Sequence, residues 1–311
     1  MVEIVVLSGK GGTGKTSLTA AFAHLASNHV ICDLDVDAPD LHLILRPENI
    51  RTEAFFAGHK AMIIEEKCDN CGICAQMCRY GAVSEAVRHP VIDHLKCEGC
   101  KVCVVFCPVN AIDFREKQCG NWFQSESRFG PMIHAQLFAG EENSGRLVAL
   151  LREKAKEMAR QKELNLILSD GPPGIGCPVI SSLSGASLAV LVTEPTPSGR
   201  YDLERVAGLC AHFGIPGGVI INKSDLNKMQ AGSIETFCAK QGLTLLGRLP
   251  HDPVITHAMI NAQAITEYQQ GQFSDMVADI WNRISELSGC QSRRPESDQA
   301  DDKKQTGSFG G

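Results

Sequence analysis

The sequence predicts an α/β protein with a doubly wound parallel sheet, interrupted by a small inserted α+β module. Short apolar strands alternate with amphipathic helical segments, and glycine-rich or acidic turns follow several strands. Such turns lie at the sheet edge where ligands bind in this fold class. Two matching groups of four cysteines between residues 68 and 107 mark the insertion. The α/β pattern resumes after them, so the module interrupts the larger domain.

Composition narrows the possible functions. The 311 residues are 43% hydrophobic, which is typical of a soluble globular protein of one large or two moderate domains. The net charge of -6 offers no general attraction to nucleic acid, so we expect no such partner. No apolar run is long enough to cross a bilayer, and the first strand begins by residue 3. We therefore expect a cytoplasmic protein with no membrane span.

The first strand (residues 3–7) and the first helix (16–28) flank a glycine-rich loop of the pattern Gly-x-x-x-x-Gly-Lys-Thr. Backbone N–H groups of such a loop and the helix N-terminus bind phosphate. Lys15 is expected to reach the β- and γ-phosphates, and the Thr16 hydroxyl to coordinate Mg²⁺. The alternative is an ordinary glycine-rich turn, but the complete spacing favours a nucleotide site made of Gly9, Lys10, Gly11, Gly12, Thr13, Gly14, Lys15, Thr16 and Ser17.

Lys10 gives this loop a second lysine, in the string GKGGTGKT. The string resembles the deviant Walker A loop of the MinD, ParA, Mrp and nitrogenase iron-protein superfamily of P-loop NTPases. The resemblance implies an ATPase in which two subunits enclose two ATP molecules and Lys10 reaches the partner's nucleotide. A solvated lysine on a turn is the alternative. We therefore expect a homodimer, or a heterodimer with a related ATPase.

Two aspartates follow buried strands. Asp35 comes after the strand at 30–32, and the resemblance implies that it positions the attacking water. Asp170 ends the strand at 164–169, where an acidic residue beside a P-loop can hold the Mg²⁺ shell. The sequence DGPPG at this point resembles the DxPPG of the family. Asp33 and Asp37 are equally well explained as cap or turn residues.

Residues expected to contact the base follow the last two strands, at 218–221 and 244–249. In the family an asparagine at the position of Asn222 contacts adenine, and the turn that contains Pro250 and Asp252 closes over the base. Asp225, in the same NKSD sequence, is equally well explained as a helix cap. Another strand is predicted at 188–193, and helices at 146–162, 199–212, 254–261 and 273–287. Residues 115–144 are expected to form an irregular connection.

The cysteines of the insertion form two groups with the same spacing, C-x2-C-x2-C-x3-C, displaced from each other by 29 residues. This internal duplication resembles the bacterial two-cluster ferredoxin over residues 61–114. Zinc is the alternative, but zinc sites usually separate two cysteine pairs by a longer loop. The resemblance implies two 4Fe-4S clusters, each held by three cysteines of one group and the last cysteine of the other. The two ligand sets are then Cys68, Cys71, Cys74 and Cys107, and Cys97, Cys100, Cys103 and Cys78.

Two details of the cysteines stand apart. Arg79 replaces the proline that ferredoxins have after the fourth cysteine, so the two cluster potentials need not be equal. Cys177 lies about where the nitrogenase iron protein has a ligand to a bridging cluster. Because no second ligand is evident, we expect Cys177 to be a small buried cysteine at a helix start. The remaining cysteines are interpreted as core or surface thiols.

The sequence thus predicts a P-loop ATPase domain in two parts, residues 1–58 and 117–288. Between them lies a ferredoxin-type domain at 59–116, and residues 289–311 form a disordered polar tail. The favoured function is ATP hydrolysis coupled to electron transfer through the clusters to a redox partner. One alternative is an ATP-dependent carrier that delivers iron-sulfur clusters or metallocofactors to apo-proteins. Another is a MinD-like positioning ATPase that uses the clusters as redox sensors.

Overall fold

The computed structural model describes residues 1–84, 86 and 88–290. The strands in this part of the chain are β1 (Val2–Ser8), β2 (His29–Asp33), β3 (Glu48–Ile63), β4 (Val83–Ser84), β5 (Val91–Ile92), β6 (Ile112–Ser127), β7 (Gly130–Leu137), β8 (Leu166–Pro173), β9 (Leu188–Thr193), β10 (Gly217–Ile221) and β11 (Thr244–Arg248). The helices are α1 (Lys15–Leu25), α2 (Leu41–Leu45), α3 (Ile73–Met77), α4 (Val102–Phe106), α5 (Ser144–Gln161), α6 (Cys177–Leu183), α7 (Pro197–His212), α8 (Lys228–Gln241), α9 (Val254–Ile260), α10 (Ile265–Tyr268) and α11 (Gln272–Ser288). Most of the expected polar tail, residues 291–311, lies outside the described residues.

The main sheet has the strand order β11-β10-β9-β1-β8-β2-β7-β6-β3. β1 lies between β8 and β9 and pairs with both in parallel. Its residues from Ile4 onward are buried, because helices cover both faces of such a sheet, and this explains its continuous apolar run. The predicted parallel α/β sheet is confirmed.

Successive residues of β1 enter two different cores. Ile4 joins a core that contains Phe22 of α1 and Trp281 of α11, whose ring centroids lie 5.5 Å apart. Val5 joins the core that contains Val206 of α7. Burying each large apolar side chain stabilises the fold by about 1.5–3 kcal/mol. Helices on both faces therefore fix the strand ends that carry the predicted site residues.

The expected irregular connection at 115–144 is wrong. β6 and β7 occupy most of it, joined by a two-residue turn. Ser127 Oγ donates to the Gly130 carbonyl at 2.8 Å across that turn. The sequence does not predict β6 because its residues alternate unevenly between buried and exposed. Its apolar period is therefore weak.

The chain divides into two compact units. Unit 1 consists of Met1–Arg51, Phe123–Ala135 and the described residues from Ser144 onward, and unit 2 consists of Thr52–Trp122 and Gln136–Asn143. The boundaries fall within β3, β6 and just before the end of β7. Long strands of the sheet therefore continue from one unit into the other.

Unit 2 repeats one structural pattern. Helices α3 and α4 have five residues each and begin 29 residues apart, which is also the displacement between the two cysteine groups. β4 and β5 pair antiparallel, with Val83 opposite Ile92. Ala61, Cys74, Ile92 and Ile112 form the small core. The duplication seen in the sequence is thus also a duplication of local structure.

The helices differ in length and in apolar character. Of those in the described residues, none combines the length and apolar character needed to cross a bilayer.

Candidate functional site

The glycine-rich loop connects β1 to α1 and lines a cleft of about 770 Å³ in unit 1. Gly14 adopts φ 91°, and a Cβ atom there would lie 2.4 Å from Asn222 Nδ2. Only glycine therefore fits without displacing Asn222. Of the nine predicted loop residues, the cleft is lined by Gly11, Gly12, Thr13, Gly14, Lys15, Thr16 and Ser17. Gly9 lies against Asp202, and Lys10 lies by Glu194.

Lys15 and Asp170 form the buried centre of the cleft. Lys15 Nζ lies 3.0 Å from Asp170 Oδ1 and 3.6 Å from Asp35 Oδ2. Thr19 Oγ1, one turn along α1, donates to the same Asp170 oxygen at 3.0 Å. Burial alone lowers the pKa of Lys15, but Asp170, Asp35 and Asp33 outweigh it and raise that pKa. Lys15 is therefore a fixed cation where phosphate would enter.

Asp33 is a member of this centre that the sequence did not single out. It ends β2, directly beside Asp170 in the strand register, and one of its oxygens accepts the Asp35 N–H at 3.1 Å. Burial and the charge of Asp170 raise the pKa of Asp33 well above its usual range. The sequence feature that could have indicated this role is the position of Asp33 at the end of a buried strand, two residues before Asp35.

The carboxylates fit a magnesium nucleotide. Asp33 Oδ2 and Asp170 Oδ2 are buried and have no hydrogen-bond partner in the part of the chain that the structure describes. A buried carboxylate oxygen is costly to leave unsatisfied, and Mg²⁺ with its bound waters takes oxygen ligands of this kind. Thr16 lines the same cleft. The donor set therefore suits Mg²⁺ held beside the phosphate loop.

Asp35 lies at the open side of this centre and lines the cleft. Burial raises the pKa of Asp35, and the charge of Lys15 opposes this rise only in part. A carboxylate with raised proton affinity is better suited to accept a hydrogen bond or a proton from water.

Lys10, which was expected to reach a partner's nucleotide, contacts residues of its own chain. Its Nζ lies 3.3 Å from Glu194 Oε2 and 3.5 Å from Ser198 Oγ. The other oxygen of Glu194 accepts from Lys223 Nζ at 2.5 Å. Burial would raise the pKa of Glu194, but its hydrogen bonds with Lys223 and Lys10 outweigh this and lower it. Glu194 therefore holds both lysines at the rim of the cleft.

Of the three residues expected near a base, Asn222 and Asp252 line the cleft and Pro250 does not. Asn222 Nδ2 donates to the Thr13 carbonyl at 2.8 Å, so Asn222 supports the loop as well as lining the cleft. Asp252 lines the same cleft, and Pro250 precedes it in the turn after β11. Asp225 accepts the His251 N–H at 2.6 Å. This bond fixes the turn, a role that the sequence did not indicate.

The eight clustered cysteines line two cavities of unit 2. The cavity that is lined by Cys68, Cys71, Cys74 and Cys107 is called the first cavity. The second cavity is lined by Cys78, Cys97, Cys100 and Cys103. The structure thus brings together the same two sets that the resemblance implies, including the exchange of the fourth cysteine.

The fourth cysteines of both groups have matching backbone environments. The Ala82 N–H donates to Cys78 Sγ at 3.4 Å and the Ala111 N–H donates to Cys107 Sγ at 3.2 Å. Within the described residues, no group of three or more His, Cys, Asp and Glu side chains is arranged to hold a metal ion. Four thiols around each cavity are nevertheless the donor chemistry of a 4Fe-4S cluster. The residues present therefore fit two such clusters.

The other cysteines differ in exposure. Cys177 begins α6 as predicted, but it is exposed and not buried. Cys177 lies on the outer side of the first turn of α6, whereas Val179 of the same turn is buried. Most of the remaining thiols are core residues, since Cys32, Cys119, Cys210 and Cys238 are buried.

A chain of side-chain contacts, buried at Ser125 and His134, connects the segment after Asp35 with β6 and β3 inside unit 1. The His42 ring of α2 stacks near the His134 ring, with centroids 6.3 Å apart. His134 Nε2 lies 2.9 Å from Ser125 Oγ, which donates to Asn49 Oδ1 at 2.7 Å. Burial and the charge of His42 lower the pKa of His134 to about 4. Nothing in the local sequence pattern indicated this chain, because Ser125 lies 76 residues from Asn49 along the polypeptide.

The chain is similar to several known proteins. Residues 4–265 match the model of the CobQ/CobB/MinD/ParA nucleotide binding domain. The uncharacterised protein MJ0578 of Methanocaldococcus jannaschii is 32% identical over 233 residues, which cover 74% of this chain and 80% of that protein. A cytosolic Fe-S cluster assembly factor, the Nubp1 homolog of Drosophila sechellia, is 24% identical over 293 residues, covering 86% of this chain and 76% of that protein.

A solved structure has a similar fold. It is the septum site-determining protein MinD of Pyrococcus horikoshii complexed with Mg-ADP. The TM-score is 0.55 at 17% identity, and the alignment covers 93% of this chain and 97% of the other.

Proposed function

The chain belongs to the CobQ/CobB/MinD/ParA nucleotide-binding family, and from this premise we propose that it hydrolyses ATP to control electron transfer through two 4Fe-4S clusters to a partner protein. Unit 1 supplies the nucleotide site and unit 2 the two cysteine-lined cavities. Because the two sites lie in one chain, a change of conformation at the nucleotide site can be transmitted through the polypeptide to the clusters.

The observation that carries the proposal is a pair of neighbouring cavities, each with a complete set of four cysteines. Cys74 and Cys107 of the first set pack in the same small core as Cys97 and Cys103 of the second. A 4Fe-4S cluster bound by four thiolates exchanges single electrons at low potential. Two adjacent centres favour electron transfer because an electron can pass from one to the other.

The cleft residues can be assigned roles in ATP hydrolysis. The loop N–H groups and Lys15 would bind the β- and γ-phosphates, while Thr16 and Asp170 would hold the Mg²⁺ shell. Lys15 must then leave Asp170, its present partner at 3.0 Å. Asp35 would orient the attacking water, and Lys10 would contact the nucleotide of a second subunit after release from Glu194. Mg²⁺ would supply charge neutralisation between the β- and γ-phosphates.

The chain of contacts from His42 through His134 and Ser125 to Asn49 supports coupling. His42 follows the segment that contains Asp35, and the phosphate-dependent ordering of such segments is a known type of switch. Ser125 and Asn49 belong to β6 and β3, the strands that continue into unit 2. A shift of α2 on nucleotide binding would thus act on the strands that lead to the clusters.

A second function is favoured by one comparison. The Nubp1 homolog, named as a cytosolic Fe-S cluster assembly factor, is similar over most of both chains. On this basis the protein would deliver clusters, instead of electrons, to an apo-protein. In that case ATP would govern cluster release.

One experiment separates the two functions. Oxygen-free protein carrying clusters is incubated with MgATP and an apo-ferredoxin acceptor, separated from it, and analysed for iron and sulfide. An electron-transfer protein keeps about eight iron atoms per chain, the content of two 4Fe-4S clusters. After reduction by dithionite and removal of the excess, it passes its electrons to a redox dye in an ATP-dependent manner. Loss of iron to the acceptor would identify a carrier, and protein purified without iron or acid-labile sulfide would contradict both functions.

A further inference from the structure

The two cysteine-lined cavities can be compared position by position because the duplication displaces equivalent residues by 29. Asp69 of the first cavity is equivalent to Glu98 of the second, so the acidic lining is matched. The N–H donors to Cys78 and Cys107 are also matched. Any remaining difference in charge therefore separates two otherwise similar sites.

Lys101 is the first difference. It is equivalent to Gly72, and both residues precede the first turn of their helix with positive φ, 67° for Lys101 and 72° for Gly72. This backbone conformation favours glycine and strains a residue with a Cβ atom. Lys101 nevertheless occupies it, lines the second cavity, and holds its Nζ 5.7 Å from the centroid of the Phe114 ring in the cavity wall.

Arg79 is the second difference, and its equivalent is Pro108. Its guanidinium carbon lies 5.1 Å from the centroid of the Tyr80 ring, and Tyr80 also lines the second cavity. Both cations therefore stack on aromatic walls of one cavity. Among the described residues that line the first cavity, none is positively charged.

We propose that Lys101 and Arg79 make the cluster of the second cavity the more easily reduced of the two, so that it holds the electron at rest. Reduction adds one electron, and thus one negative charge, to a cluster without breaking a bond to its thiolates. A nearby cation stabilises the reduced form more than the oxidised form and so raises the reduction potential. This proposal rests on the proposed function, since it requires a cluster in each cavity.

The direction of electron flow follows. Electrons that enter either cluster collect in the second cavity, and an oxidised partner protein would accept them from there and become reduced. Since Lys101 is exposed, its contribution is expected to weaken as ionic strength rises.

The test is a redox titration of the full-length, oxygen-free protein with dithionite-reduced mediators, followed by electron paramagnetic resonance. Iron and sulfide are counted first in each preparation. Wild-type protein is expected to show two separate one-electron waves, whose separation narrows in high salt. Lys101→Gly, which copies Gly72 and removes the strain, and Arg79→Gln should each lower only the higher wave.

Two further variants keep the proposal falsifiable. Gly72→Lys should raise the lower wave, because it gives the first cavity the cation of the second. Lys117→Gln removes a lysine of unit 2 that pairs with Glu141 and lines neither cavity, so it should move neither wave. Clusters with coincident waves in the wild type, or a lower wave moved by Lys101→Gly, would overturn this proposal alone. Protein without clusters would overturn the proposed function as well.

Discussion

Lys10 shows how one side chain can have different partners in different states. In the structure its ammonium group lies 3.3 Å from Glu194 of the same chain, whereas the proposed function requires it at the nucleotide of another subunit. Lys10 is about one-third exposed, so the ion pair is worth only about 0.2–1 kcal/mol. Glu194 is therefore a weak restraint that nucleotide and partner can overcome.

Removing this restraint should favour ATP-dependent association. For Glu194→Gln we expect the dissociation constant of the ATP-bound dimer to fall about 2- to 5-fold, the equivalent of one partly exposed ion pair. Analytical ultracentrifugation with a non-hydrolysable ATP analogue measures it. Glu235→Gln is the control, because Glu235 pairs with Arg248 on α8 and β11 away from the cleft lining. Equal constants for wild type and Glu194→Gln would show that Glu194 does not restrain Lys10.

At the scale of elements, three strands run from unit 1 into unit 2, namely β3, β6 and β7. Ser125 lies between His134 and Asn49. Ser127, two residues on in β6, bonds within its own turn, where it donates to the Gly130 carbonyl and accepts the Phe129 N–H. The two serines thus form a natural pair for comparison.

Ser125→Ala should weaken coupling between ATP and the clusters. It breaks the hydrogen bonds to His134 and Asn49, so movement of α2 would no longer reach β3 through them. We expect the shift of cluster potential caused by an ATP analogue to fall by at least about half, given the coupling energies typical of such networks. Ser127→Ala, titrated in parallel, should keep the full shift. If both variants behave alike, this route does not carry the coupling.

His134 should also make stability depend on pH. Its pKa of about 4 in the folded chain lies below the ordinary value of 6.5. Between these two pH values, His134 therefore binds a proton in the unfolded chain but not in the folded chain. Stability is therefore lost as pH falls from 6.5 toward 4. Between about pH 7.5 and about pH 5.5, this group should lower the free energy of unfolding by roughly 1 kcal/mol.

Urea denaturation followed by circular dichroism measures the effect. His134→Asn should lack this part of the pH dependence, whereas His212→Asn, at an exposed position, should retain it. An unchanged pH dependence in His134→Asn would show that His134 is not the group responsible.

At the scale of the whole molecule, the arrangement of subunits can be tested by mixing variants. Lys10→Ala and Lys15→Ala should each be inactive as ATPases. In a mixed dimer, however, the Lys10→Ala subunit keeps Lys15 and can receive Lys10 from its partner. A 1:1 mixture should regain about a quarter of wild-type activity, because half of the dimers are mixed and one of their two sites is complete. Steady-state phosphate release measures this, and no recovery would place Lys10 in the site of its own chain.

Much of the site could be predicted because it depends on local spacing. The loop from Gly9 to Ser17, the strand end at Asp170 and the repeated cysteines each form a short pattern whose geometry follows from neighbouring residues. The same holds for β1, β8, β9 and β10, since strands buried on both faces carry continuous apolar runs. β3 and β6 lack such runs because they lie toward the margin of the sheet, and β6 in particular alternates unevenly. β7 is buried from Pro131 to Ala135, but the polar His134 interrupts its apolar run.

The sequence by itself determined which residues can bind phosphate and which thiols share a spacing, because both are properties of adjacent backbone. Only the tertiary structure decided that Asp33 stands beside Asp170, that Glu194 holds Lys10, and that Ser125 connects His134 with Asn49. These contacts join residues from different strands and helices. Their distances depend on strand order and packing, which no local pattern records.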